Sequence, residues 1–392
     1  MLHNEVVSLF GRDEDIGAIE EQLLAGGVLL VGPRRIGKTE LLKELCRKPP
    51  RDTVPVRVDL EGLVDVAGAV ERVAESLFRS KLLPQKPFAE RLAALKRVSV
   101  AGVVEVERGD GAGETAWDAF EEILDAALKR LEGPQRLALF LDEVPWWLDG
   151  LRRPQAGDEL YGDERDRAGE DRVRQALAQL RYFRQRDGMS RRLRMMLTGS
   201  VGLSSLAHAT GASAELNDLS AYELRPLAER DGVALFEYEL ASRGVPCSDE
   251  ASQHAQRLGG GSPHWIKQLA AKIRGRDREV TPAEVDAAAE QLLSPRMRHL
   301  FQDEAHHHLE RRHGERASLM RAVLSAASAS DAGATRSALV TSGLKRASSR
   351  GDVERAIVQL VDDFYLEPEA DRFRFANPLF RRWWERYGTW EA

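Results

Sequence analysis

Residues Gly27 to Thr39 limit the architecture of this chain more than any other segment. An apolar run, Val28-Leu29-Leu30-Val31, leads directly into Gly32-Pro33-Arg34-Arg35-Ile36-Gly37-Lys38-Thr39. That stretch satisfies the phosphate-binding loop pattern G-x-x-x-x-G-K-[ST] at every fixed position. Glycines let backbone N–H groups converge on a polyphosphate, Lys38 supplies a point charge for its outer phosphates, and Thr39 offers a hydroxyl to Mg²⁺. Glu40-Leu41-Leu42-Lys43-Glu44-Leu45 follows with helical spacing. Strand, loop and helix therefore come in the order that presents an anion to a helix N-terminus.

The rest of the composition sets the class of molecule. At 392 residues, 43% apolar and 31% charged, the chain holds material for two or three packed domains. A net charge of −6 argues against coating nucleic acid or anionic membrane through bulk charge, although a local basic patch is compatible with it. The two cysteines, Cys46 and Cys247, have no metal-site or disulfide spacing. The N-terminus lacks the layout of a signal peptide and no apolar run reaches membrane-spanning length, so a soluble, cytoplasmic protein is expected.

Along the chain, Phe10-Gly11-Arg12-Asp13 is a turn before an amphipathic helix carrying Ile16, Ile19, Leu23 and Leu24. Val54 to Leu60 alternates as a strand, and Val66, Val70, Val73 and Leu77 resume helical spacing, which predicts a βαβ crossover. Residues 84–113 are irregular, with room for a hairpin over Val98–Val106. A helix from Trp117 to Leu131 ends before Gly133-Pro134. Leu137-Ala138-Leu139-Phe140-Leu141-Asp142-Glu143 then reads as a buried parallel strand closing in two acids, which is how strands end at a nucleotide-binding edge. Two solvated acids at a strand end are the plainer account. Trp146 and Trp147 are expected to pack. The charged stretch Asp149–Glu170 reads as a solvated loop, and helical period returns from Val173 to Arg184. Arg191 to Ser200 reads as a further buried strand ending in small polar residues.

These motifs together resemble STAND-like, AAA-related P-loop ATPases of the archaeal and bacterial type. The resemblance implies an α/β fold: a P-loop NTPase parallel-sheet core over 1–220, a helical lid over 221–300 and a winged-helix domain over 301–392. It also implies ATP and Mg²⁺, held by Gly32 to Thr39. In the family, a segment like Phe10-Gly11-Arg12 borders the nucleotide base. Asp142 would join Thr39 in the metal shell, and Glu143 would orient or activate the attacking water. With Lys38 and a phosphate-sensing Thr198, Ser200 being the second choice, these acids make up the expected catalytic set. Arg191 and Arg192 lie where relatives often carry an arginine finger, but the region is so arginine-rich that a solvated face is the favoured account of each.

Leu258-Gly259-Gly260-Gly261-Ser262-Pro263 looks like the glycine-proline motif of STAND ATPases, in which the proline, here Pro263, approaches the adenine. A helix cap followed by a proline-started helix explains the same residues without a ligand. Thr281-Pro282-Ala283-Glu284 opens another helix. His306, His307, His308 and His313 cluster in sequence but are expected on a solvated face, with no metal.

The last segment reads as three helices, a wing of Phe364–Glu367 and Arg372–Phe375 with a turn over Pro368 to Asp371, and a closing helix from Pro378 to Tyr387. Arg350 and Arg355 on the presumed recognition helix are offset by Asp352, Glu354, Asp362 and Asp363. Arg372, Arg374, Arg381, Arg382 and Arg386 form the better basic surface. Three functions fit the resemblance. One is a slowly hydrolysing switch ATPase whose nucleotide state controls docking of the winged helix, in a regulatory, signalling or defence role. Another is a DNA-associated ATPase, similar to origin-recognition or transposition helpers. The third is a nucleotide-bound scaffold without turnover. A protein partner and a homo-oligomer are compatible with each, and no membrane partner is expected.

Overall fold

The computed structural model describes residues 9–84, 116–153, 162–199, 202–274, 278–302 and 308–388. The hairpin expected over Val98–Val106, the alternative sensor Ser200, and His306 and His307 lie outside them. The chain divides into two compact units. One comprises Glu14–Val31 and Lys38–Glu223; the other takes in the residues up to Asp13, Gly32–Gly37 and the chain from Leu224 onward.

The first unit is built on five strands: β1 (Gly27–Val31), β2 (Thr53–Asp59), β3 (Arg136–Asp142), β4 (Leu193–Thr198) and β5 (Leu219–Glu223). They form one sheet in the order β2-β3-β4-β1-β5, and every neighbouring pair is parallel. Parallel neighbours need crossovers, and helices such as Lys38–Arg47, Val66–Arg79, Ala116–Lys129 and Gly162–Gln185 stand between the strands in sequence. Such a sheet is covered on both faces, which is why β3 can be apolar at successive positions: Leu137, Ala138, Leu139 and Phe140 are wholly buried. The order has a second consequence. The carboxyl ends of β1, β3 and β4 lie on one edge of the sheet, so the last residues of these three strands come to the same side.

Two expectations need correction in this unit. The charged stretch Asp149–Glu170, expected to be a loop, is helical at both ends, in the last turn of helix Val144–Arg152 and again from Gly162. Its density of Arg, Asp and Glu suits a solvated helix as well as a loop, and just beyond it the helix from Gly162 carries the Arg174–Asp171 pair at 2.6 Å. Strand β5 was not foreseen. It pairs with β1 along its whole length, so a core ending at residue 220 would cut through it.

The second unit begins its globular part with helices Glu229–Ala241, Asp249–Gly259, Pro263–Lys272 and Pro282–Leu292. Helix Ala317–Ser328, strand β6 (Ala334–Thr335), helices Arg336–Gly343 and Arg350–Asp362, strands β7 (Leu366–Glu369) and β8 (Arg372–Phe375), and helix Pro378–Tyr387 follow. The three strands form an antiparallel sheet in the order β6-β8-β7, and this succession of elements is that of a winged helix. The caps follow the sequence: the Asn377 side chain accepts from Phe380 N at 2.9 Å, and Thr281 N donates to Glu284 Oε2 at 3.0 Å. The wing turn is tighter than expected, because Pro368 and Glu369 still pair with Phe373 and Arg372.

One apolar cluster runs through this unit from Leu227 to Trp384 without a break between the four-helix segment and the winged helix. Phe301 is its hub. It stacks on Trp265 at 4.3 Å and 6° and lies parallel to Phe380 at 6.2 Å and near Trp383 at 5.8 Å. Among the described residues, no helix is long and apolar enough to cross a membrane.

Candidate functional site

Asp142, the last residue of β3, is the centre of a polar cluster at the carboxyl edge of the sheet. It is 1% exposed, and both its oxygens accept hydrogen bonds. Thr198 at the end of β4 donates Oγ1 to Asp142 Oδ1 at 2.6 Å. Thr39, in the first turn of helix Lys38–Arg47, donates Oγ1 to Asp142 Oδ2 at 3.1 Å. Three residues singled out from sequence motifs far apart in the chain thus meet at one carboxylate. Gly199 is needed here, because a Cβ on it would fall 2.3 Å from the Pro145 ring. Lys38 opens the same helix and is buried.

Sequence reasoning missed a fourth participant. Arg57 on β2 donates to Asp142 Oδ2 from Nε at 3.1 Å and from Nη2 at 2.8 Å, and Nη2 also donates to Asp59 Oδ2 at 3.2 Å. Burial works to ease the proton off this guanidinium, but the bonds and charges of Asp142 and Asp59 outweigh it and raise its pKa above the ordinary arginine value. The available signal was an arginine and an aspartate two apart, hence on one face, at the end of an alternating strand.

Glu143 follows directly and holds a left-handed backbone, φ 57° and ψ 39°, where it starts helix Val144–Arg152. For a residue other than glycine this conformation costs about 1–2 kcal/mol. Trp147 behind it is a packing residue: it is buried and donates Nε1 to the Asp65 carbonyl at 3.0 Å. Arg191 and Arg192 are not at this site. They precede β4, at the opposite end of the strand from Thr198, and Arg192 donates to the Gln135 carbonyl at 3.2 Å. The strand's direction puts both at the amino edge of the sheet, in keeping with the solvated face favoured for them over an arginine finger.

The phosphate-loop residues Gly32 to Gly37 pack within the second unit. Gly32, at φ 149°, could not be another residue, since a Cβ would sit 2.6 Å from the Leu224 carbonyl oxygen. Arg12, 4% exposed, clamps the loop by donating to the carbonyls of Ile36 at 3.1 Å and Arg225 at 2.9 Å. Gly11 fits closely against Asp231, and Phe10 packs on Tyr238 at 5.2 Å. Pro33 and Arg34 are half-buried. Arg35 has a left-handed backbone, φ 63°; its Nη2 donates to the Leu300 carbonyl at 2.7 Å and its guanidinium lies 4.8 Å from the centre of the Trp265 ring. Ser262 of the glycine-proline motif donates Oγ to the Arg35 carbonyl at 3.2 Å. Pro263 is the first residue of its helix and Gly260, at φ 60°, caps the helix before it, so the capping account of this motif holds together with its contact to the loop.

The C-terminal arginines are engaged inside the second unit. Arg386 makes paired bonds to Glu290 at 2.7 and 2.8 Å, and Arg382 reaches Asp286 at 3.4 Å. Arg381 is 9% exposed and held by Asp331, Glu385 and the Ser328 carbonyl. Arg374 bridges Glu367 and Glu369, and Arg355 pairs with Asp352.

No protein-family model matches this sequence, and no curated protein does. Among solved structures, a Walker-type ATPase of Pyrococcus abyssi is similar, with a TM-score of 0.64 at 17% identity, over 96% of this chain and 95% of that one. The chain has a P-loop NTPase fold. The ORC2 protein of Aeropyrum pernix matches at 13% identity and TM-score 0.46, over 97% of this chain and 96% of that one. The RuvB Holliday junction branch migration motor of Thermotoga maritima matches at 14% and 0.38, over 93% and 91%. At those scores the two add nothing to the fold assignment.

The donors on this P-loop fold fit a magnesium ion. The Thr39 hydroxyl and the Asp142 carboxylate are hard oxygen donors already in contact with each other. Among the described residues there is no cluster of three or more His, Cys, Asp or Glu placed to hold a metal, so a cation here would take its remaining ligands from water and phosphate.

Helix Pro263–Lys272 carries a pH-sensitive group beside Arg35. Burial, and then the Arg35 charge, lower the His264 pKa from 6.5 to about 4, and its Nε2 is buried without a hydrogen-bond partner. His264 is a base whose folded pKa is depressed. Between pH 6.5 and about 4 the unfolded chain therefore binds more protons, and stability falls as pH falls through that window. The expected loss is up to about 3 kcal/mol, less whatever solvent screening removes. Unfolding midpoints of wild type and His264→Phe between pH 7.5 and 4.5 check this, since the variant should lack that part of the slope.

Proposed function

We propose that this chain is a Mg-ATP-dependent switch that hydrolyses ATP slowly and whose nucleotide state controls how its winged helix docks, in a regulatory, signalling or defence role. The observation that carries this reading is the reach of Arg35. A residue inside the phosphate loop lies against Trp265, Trp265 stacks on Phe301, and Phe301 meets Phe380 and Trp383 of the last winged-helix element. Ser262 adds a second tie to the loop, and Asn377 at the start of that last helix donates Nδ2 to the Gly259 carbonyl at 2.8 Å. A shift of the loop is therefore felt through stiff, flat groups in contact.

In the proposed reaction the loop amides and Lys38 bind the phosphates. Thr39 and Asp142 would hold Mg²⁺, whose charge would neutralise phosphate oxygens when it is bound. Glu143 orients the attacking water, and Thr198 fixes the Asp142 carboxylate and reads the outer phosphate from the end of β4. Phe10 to Arg12 and Pro263 border the base.

The DNA-associated alternative would use the C-terminal arginines, and the ion pairs of Arg374, Arg381, Arg382 and Arg386 would have to open first. These pairs favour intramolecular docking. Hydrogen exchange tests the switch: at saturating nucleotide, the amides of helix Pro378–Tyr387 in wild type should exchange at different rates with ATP and with ADP. Arg35→Ala should abolish the difference. Equal exchange in both nucleotide states of wild type would remove the proposed control.

A further inference from the structure

We propose that Arg57 stands in for a divalent cation between Asp59 and Asp142, and so keeps the metal affinity of the nucleotide-free protein low. The proposal rests on the reading of Thr39 and Asp142 as the magnesium donors. Asp59 and Asp142 are register partners on adjacent strands, β2 and β3, so their side chains leave the same face of the sheet side by side. Two carboxylates so placed beside a threonine hydroxyl are a natural seat for a hard dication. In this structure a single nitrogen, Arg57 Nη2, reaches the Oδ2 atoms of both, at 3.2 and 2.8 Å, while Nε makes a second bond to Asp142 at 3.1 Å.

That arrangement has an electrostatic consequence. Asp142 is almost wholly buried, and a buried carboxylate is tolerated only with a compensating charge, which Arg57 provides. The same guanidinium opposes an incoming Mg²⁺ at short range and low dielectric. Metal therefore binds well only when it arrives with polyphosphate, whose negative charge and oxygen ligands tip the balance. Arg57 also has somewhere to go. It borders an open cavity of about 400 Å³ whose walls include Asp59, Leu63, Arg72, Ser76 and Arg79. Arg72 there donates to the Asp59 backbone carbonyl, not to its carboxylate, so the Asp59 side chain can keep hold of Arg57 when Asp142 is released.

The test is Mn²⁺ binding to the full chain without nucleotide, followed by electron paramagnetic resonance of the free ion. Arg57→Gln should bind one Mn²⁺ at least about tenfold more tightly than wild type. The double variant Arg57→Gln/Asp142→Asn should lose that gain. Arg57→Lys keeps the charge but not the two-pronged grip and should show a smaller gain of about two- to fivefold; it decides the matter if the Gln variant does not fold. Unchanged or weaker Mn²⁺ binding in Arg57→Gln, or in Arg57→Lys where only that variant folds, overturns the proposal. It would mark Arg57 as a purely structural partner. Failure of the nucleotide reading shows separately, as absence of Mg²⁺-dependent binding of a fluorescent ATP analogue by wild type.

Discussion

Glu143→Gln is expected to lower ATP turnover by about 100- to 10,000-fold, the range lost when a positioned base is removed, while ATP still binds. The substitution is nearly isosteric and leaves the left-handed backbone at this position to be held by the same neighbours, so the effect reports on the carboxylate alone. Glu143→Gly separates chemistry from strain. It removes the carboxylate and also relieves a φ of 57°, so turnover should collapse in a protein no less stable than wild type. Single-turnover phosphate release together with equilibrium ATP binding would check both. Turnover within threefold of wild type in Glu143→Gln would eliminate the proposed role of this residue, and undetectable turnover in wild type would favour the scaffold reading.

Lys38→Ala should weaken ATP binding by about 10- to 150-fold, corresponding to the roughly 1.5–3 kcal/mol carried by a hydrogen bond to a charged group. Lys38 is 5% exposed at the first position of its helix, so little solvent can take over its work. The result has a thermodynamic counterpart. ATP at about 100 times its dissociation constant should add about 2.7 kcal/mol to wild-type stability, and about half to nine-tenths of that gain should vanish in the variant at the same ATP concentration. Thermal unfolding with and without Mg-ATP measures it. Equal stabilisation of both proteins would defeat the phosphate-binding reading of Gly32 to Thr39.

The parts of the site that were legible in the sequence are those fixed by local chemistry. Gly32 to Thr39 declares itself because glycine, lysine and threonine are each required at set offsets, and Asp142 because an unbroken apolar run has to stop somewhere polar. Thr198 was readable as a strand end, but its bond to Asp142 depends on β4 lying beside β3, which spacing along the chain does not encode. Arg57 went unnoticed for the same reason, since its partner is 85 residues away. Strand β5 lacked a pattern because, of Leu219 to Glu223, only Leu219 is buried, leaving no alternation to detect. Arg382 and Arg386 looked like a surface for phosphate because their acidic partners, Asp286 and Glu290, lie 96 residues upstream on another helix. For Thr198, Arg57, Arg382 and Arg386 the decisive term is a long-range pairing, and a linear pattern contains only its separate halves.

The clamps on the phosphate loop bear on how such a chain comes off the ribosome. The loop is complete once Thr39 has been made, yet its fasteners belong to residues synthesised much later: Arg225, 213 positions after Arg12, and Ser262 and Leu300, 227 and 265 positions after Arg35. At about 5–20 residues per second, the last of them follows the loop by roughly 13 to 50 seconds. During that interval the nascent chain carries a phosphate loop without its supports. If the proposed nucleotide binding needs these clamps, a product truncated before Leu300 should fail to bind nucleotide.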